Sequence, residues 1–190
     1  MSDLAAPTRL RQAESQLPAA WYCEPGVLEA ERRSLFARGP GYVGHELMVP
    51  KPGDYHALAA RDNAQALVHG PTGIELLSNI CRHRQAIMLN GSGHADNIVC
   101  PVHRWTYALD GRLLGAPQFE TQPCASLARA PTRRWRGLVF DGPRDVTADL
   151  GTLSVPDLDF TGYALNRIEV HECHYNWKTF IEVYLEDYHV

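Results

Sequence analysis

The stretch NICRHRQAIMLNGSGHADNIVCPVHRWTYALDG constrains this chain more than any other. It holds Cys81-x-His83 and Cys100-x-x-His103, with sixteen residues between the two pairs. Each pair offers one thiolate and one imidazole from a tight loop. Asn90-Gly91 and Ser92-Gly93 lie between them and are turn formers that let the loops fold back towards each other. Two sulfur and two nitrogen donors suit zinc or an iron–sulfur centre. A zinc finger of the two-Cys, two-His kind takes its cysteines first and its histidines after them, whereas here each loop contributes one of each. That order suits a [2Fe–2S] cluster with two cysteines on one iron and two histidines on the other, and a structural zinc site is the alternative. The expected ligands are Cys81, His83, Cys100 and His103. Arg82 and Arg84 border the first loop, Pro101 stiffens the second, and Trp105 and Tyr107 are placed to wall the cluster.

The rest of the sequence sets a frame for these loops. From Tyr42 onward, YVGHELMVP, ALVHG, IELLSNI, NIVCP and RGLVFDG are short β-rich runs punctuated by Gly, Pro and Asn. WTYALDGRLLG is the strongest hairpin signal, two alternating runs around Asp110-Gly111. These predict a mainly β fold, an antiparallel sandwich or small barrel. EPGVLEAERRSLFARGPG predicts a short helix that starts near Pro25, stops at Gly39 and carries Leu28, Leu35 and Phe36 on one face. Trp21 and Tyr22 are candidate anchors for the arm before it. The expected organisation is an arm and helix over 1–40, a β domain over 41–154, and a linker from Val155 leading to a further strand in YALNRIEVHEC and a terminal helix. His45, His56 and His69 lack partners at ligand spacing and read as ordinary strand or loop histidines, and His94, between the two pairs, reads as a loop histidine. Cys23, Cys124 and Cys173 read as buried or half-buried thiols.

A net charge of −4 over 190 residues disfavours nucleic acid as a partner. No run approaches the roughly 18 apolar residues of a membrane span, and the first residues contain no apolar signal-peptide core, so the expectation is a cytoplasmic protein with reduced cysteines.

The stretch NWKTFIEVYLEDYHV, Asn176 to Val190, predicts an amphipathic helix with Glu182, Glu186 and His189 along one stripe. Alone, Glu186-x-x-His189 has little specificity. With the CxH…CxxH pairs, the chain resembles the α subunit of the Rieske non-haem iron oxygenases. The likeness extends over LPAAWYCEPGVLEAERRSLFARG, YVGHELMVPKPGDY and HRWTYALDGRL. The branch it resembles most contains the choline- and carnitine-type monooxygenases and related aromatic-ring hydroxylases.

The resemblance implies a Rieske-type antiparallel β domain over 41–154. Over 155–190 it implies the linker and the first strand and helix of an incomplete α+β catalytic domain. It implies that Cys81, His83, Cys100 and His103 ligate the [2Fe–2S] cluster and that His189 is the first histidine of a mononuclear Fe(II) site. Glu186 would be the catalytic bridging carboxylate between that histidine and His103 of a neighbouring subunit. It further implies a homo-oligomer, usually a trimer, and a flavin reductase or ferredoxin as electron donor. The reaction would be O₂-dependent hydroxylation or demethylation of an organic substrate. The remaining iron ligands of the family lie downstream of the position matched by His189. Without that likeness, a stand-alone Rieske electron carrier or a zinc-stabilised interaction module would be the competing readings.

Overall fold

A computed structural model describes residues 17–186. They divide into two units, one of residues 38–171 and one that joins residues 17–37 to residues 172–186.

The larger unit is built from eleven short strands. They are β1 (Gly41–His45), β2 (Asp54–Ala57), β3 (Gln65–Gly70), β4 (Gly73–Ser78), β5 (Ser92–His94), β6 (Ile98–Val99), β7 (Thr106–Tyr107), β8 (Leu113–Gly115), β9 (Arg129–Ala130), β10 (Arg133–Trp135) and β11 (Leu138–Asp141). Every strand pairing is antiparallel. The strands form sheets ordered β1-β11-β10, β5-β2-β3-β4-β9 and β6-β7-β8. The mainly β expectation therefore stands.

The central pair β3–β4 is buried on both sides. Side chains alternate across a strand, so Ala66 and Val68 of β3 face one way and Leu67 the other. The same split separates Leu77 from Leu76 on β4. Ala66, Val68 and Leu77 join a core with Ile98, Tyr107, Leu113 and the two loop cysteines, Cys81 and Cys100. Leu67 and Leu76 join a second core with Val43, Val49, Leu58 and Val139. One face of the five-stranded sheet thus carries the metal-ligand loops, and the other is packed by residues of the first sheet.

Turn chemistry accounts for the hairpins. Asp110-Gly111 does turn β7 into β8, with Gly111 at φ 87° and the Ala108 N–H bonded to Arg112 O at 2.8 Å. Arg136 and Gly137 join β10 to β11, and both have positive φ, 48° and 80°. That is the demand of a two-residue type I′ turn.

Asn79 holds β4 to the first loop. It is fully buried. Its amide Nδ2 donates to Asn63 O at 2.9 Å and to Leu89 O at 2.7 Å, while Oδ1 accepts from Leu89 N at 2.8 Å. The side chain clamps both ends of the segment that contains Cys81 and His83.

The smaller unit contains α1 (Pro25–Glu31), continued by a wider π turn over Arg32–Phe36, and the terminal helix Trp177–Leu185. That helix is α3 in chain order, since a short α2 (Val146–Leu150) belongs to the larger unit. Asn176 caps α3 by accepting from Lys178 N at 3.0 Å, and its amide donates to Tyr22 O at 2.8 Å. Tyr22 also donates its hydroxyl to Glu182, which confirms it as an anchor. Glu31 accepts from Lys178 Nζ at 2.6 Å and from the Trp177 indole at 3.0 Å. These two donors hold its carboxyl below the ordinary range.

Three expectations change. Residues 163–174 form no strand, because a strand exists only by pairing and β1 to β11 pair among themselves. Cys23, Cys124 and Cys173 are exposed, not buried, since each lies in a turn or irregular segment at the surface. Glu186 is the C-cap of α3, with extended φ −83° and ψ 120°, so it leaves the helical stripe shared with Glu182.

Asn79→Ala strands three backbone partners at once, Asn63 O, Leu89 O and Leu89 N. A loss of ~2–4 kcal/mol of unfolding free energy is expected, measured by urea titration.

Candidate metal centre

The two ligand loops are closed by the same hydrogen bonds. In the first, the Gln85 N–H donates to Cys81 O at 2.9 Å and the Cys81 N–H to Ala86 O at 2.9 Å. In the second, Arg104 N–H donates to Cys100 O at 3.1 Å and Cys100 N–H to Trp105 O at 2.8 Å. Each loop closes through the residue four places after its cysteine, and that residue is left-handed in both, Gln85 at φ 58° and Arg104 at φ 62°. Side chains other than Gly rarely take this conformation. The two loops are structural counterparts even though their histidines sit at different offsets.

This closure brings like donors together. The Cys81 and Cys100 thiols are buried and within hydrogen-bonding reach of each other, and neither is in a disulfide. The His83 and His103 rings lie edge to face, with centroids 4.7 Å apart. All four expected ligands are thus gathered, as a thiol pair and an imidazole pair. Among the described residues, no three His, Cys, Asp or Glu side chains converge as a site for a single ion. Two thiolates on one iron and two imidazoles on another match this pairing better than one zinc tetrahedron does.

The surroundings favour sulfur anions. Burial pushes the Cys81 thiol up, but the backbone N–H of His83, the Tyr107 hydroxyl, Cys100 and the Arg84 N–H together bring it below the ordinary thiol range. Tyr107 is fully buried; its oxygen accepts from Arg82 N at 3.1 Å, which leaves the hydroxyl proton for Cys81 Sγ at 3.5 Å. Burial, and then the bond to Cys81, raise the Tyr107 pKa, so it stays a donor. Burial first, then electrostatic interaction with His103 and Arg84, lower the His83 pKa and favour the neutral ring that a metal ligand must have. Its Nδ1 is buried with no hydrogen-bond partner. A neutral imidazole with an orphaned ring nitrogen beside a donor-lined thiol pair fits the iron-binding role.

Trp105 and Tyr107 do wall the site. Trp105 lies parallel to His83, with 5.0 Å between centroids and 5° between planes. Phe119 closes edge-on against both, at 6.1 Å from His83 and 5.3 Å from Trp105. Phe119 lies in an irregular stretch with no periodic pattern to flag it. The other histidines have local roles. His69 bonds Val49 O at 2.8 Å, His56 bonds the Ser92 hydroxyl at 2.6 Å, and His94 pairs with Asp54 at 2.9 Å. His189 lies outside the described residues, and Glu186 belongs to the smaller unit.

Comparison with known proteins bears on this arrangement. Residues 40–129 match the Rieske [2Fe-2S] domain. The chain is 60% identical over 191 residues to putrescine 2-hydroxylase of Ralstonia nicotianae, covering 100% of this chain and 52% of that protein. Residues 40–129 thus match a Rieske domain, and the chain as a whole is similar to the N-terminal half of Rieske oxygenases. It is also 47% identical to putrescine 2-hydroxylase of Bordetella bronchiseptica, covering 48% of that protein. Among solved structures it is similar to the quaternary ammonium Rieske monooxygenase CntA in complex with L-carnitine. That match has TM-score 0.59 and 26% identity, and covers 70% of this chain and 41% of the other. The chain spans about half the length of the curated relatives it matches. Among the described residues, no helix is long and apolar enough to cross a membrane.

Hydrogen bonds to a ligating sulfur stabilise the reduced cluster and raise its potential. Tyr107→Phe is therefore expected to keep the cluster but lower its midpoint potential, read by spectroelectrochemistry.

Proposed function

We propose that this chain is the electron-transfer portion of an oxygenase α subunit. Cys81 and Cys100 would hold one iron of its [2Fe–2S] cluster, and His83 and His103 the other. The observation that carries this reading is the pairing of thiol with thiol and imidazole with imidazole by two identically closed loops. When bound, the cluster supplies one-electron chemistry. The chain's own part is to keep the thiols buried and surrounded by donors, hold His83 neutral, and leave His103 exposed as the contact edge.

Electrons would come from a separate flavin reductase or ferredoxin in the cytoplasm. The destination would be a mononuclear Fe(II) for which His189 is one ligand. Glu186 would stand between His189 and His103 of a neighbouring subunit, in a homo-oligomer, usually a trimer. A carboxylate in that place accepts from both imidazoles and fixes their tautomers. The likeness to putrescine 2-hydroxylase extends over this whole chain. It supports a short aliphatic amine such as putrescine as the substrate, with O₂-dependent hydroxylation as the reaction of the full-length protein.

Anaerobically purified protein is expected to carry about two irons and two acid-labile sulfides per chain. Cys100→Ser should lose both together with the brown colour; zinc without sulfide in the parent protein would overturn the assignment. In the full-length protein, Glu186→Gln should retain its iron and sulfide while amine-dependent O₂ uptake falls ~10–100-fold. Unchanged uptake would remove Glu186 from the bridge.

A further inference from the structure

We infer that the indole N–H of Trp105 donates a hydrogen bond to a sulfur of the cluster, which makes Trp105 a positioning and potential-setting residue and not only a wall. Three buried side-chain polar atoms lack a partner among the described residues, and two of them, His83 Nδ1 and Trp105 Nε1, belong to one stack. The His83 nitrogen is explained as an iron ligand under the reading above. The indole nitrogen is not, because it carries a proton and has no free lone pair; it can only donate.

Position narrows what it can donate to. Trp105 is only 3% exposed and shares a core with Cys81 and Cys100. Phe119 packs edge-on against both Trp105 and His83. The nitrogen itself is buried, so neither bulk water nor a neighbouring subunit reaches it. Its acceptor must lie within the same interior, beside the residues that gather the thiols. Buried donors are seldom left unpaired in folded proteins. A [2Fe–2S] group brings two sulfides and two thiolate sulfurs, all acceptors and none a donor. The Cys81 sulfur already receives the Tyr107 hydroxyl and the N–H groups of His83 and Arg84, so the site is built to surround sulfur with donors. Trp105 completes that set from the His83 side. Added negative charge on the reduced cluster strengthens the bond, and the potential rises as a result.

This inference rests on the cluster reading, and the test separates the two. Trp105→Phe keeps an aromatic ring against His83 and removes the N–H. Replacement of Trp105 by benzothienylalanine keeps the ring size too, with sulfur in place of N–H, and serves if the phenylalanine variant does not hold the cluster. Iron and sulfide content, midpoint potential, and pulsed EPR of the reduced cluster in protein labelled with ¹⁵N-indole tryptophan are then compared. The expected result is unchanged iron and sulfide, a downward shift in potential, and loss of one indole ¹⁵N coupling that the parent protein shows. An unchanged potential in the variant that holds the cluster overturns the inference and leaves the cluster standing, as does a parent protein with no indole coupling. A parent protein without iron and sulfide overturns both.

Discussion

Burial of the β3–β4 pair on both faces is the constraint on which the rest of the larger unit depends. One face of Ala66, Val68 and Leu77 supports the cysteine loops, while Leu67 and Leu76 on the reverse close the second core. Adjacent residues of each strand commit to opposite layers, so a one-residue slip in register would withdraw support from both cores at once. Asn79 transmits this rigidity to the metal site. It ends β4 by binding the backbone on the far side of the first loop, so the position of Cys81 follows from the register of the sheet.

Electrostatics then decides what two such loops can hold. Thiols in an apolar core would ordinarily stay protonated. Here backbone N–H groups and a tyrosine hydroxyl surround Cys81, while burial favours the neutral form of the His83 ring. A donor-rich, acceptor-poor interior suits a group whose periphery is sulfur and whose charge becomes more negative on reduction. The exposed edge belongs to His103, flanked by exposed Arg82, Arg84 and Arg104. Burial on the sulfur side and access on the imidazole side give the site a direction.

Much of this was legible in local spacing. Cys81-x-His83 and Cys100-x-x-His103 named the four donors, and Asp110-Gly111 marked a hairpin that the structure contains. Features governed by pairing or burial were less visible. YALNRIEVHEC has the composition of a strand but finds no partner, and Glu186 sits at helical spacing from Glu182 yet lies past the end of α3. Cys23, Cys124 and Cys173 are chemically small hydrophobes, but their segments run along the surface.

The sequence by itself determined the mainly β class and the likeness to Rieske domains, and it proposed a ligand set, because donor identity and short-range turn chemistry are properties of neighbouring residues. Only the tertiary structure decided that Gln85 and Arg104 take matching left-handed conformations, that Phe119 closes on His83, and that Trp105 buries a donor beside the thiols. Those outcomes depend on which segments meet across the β3–β4 layer. Such meetings are set by packing among residues far apart in the chain, to which no local pattern is tied.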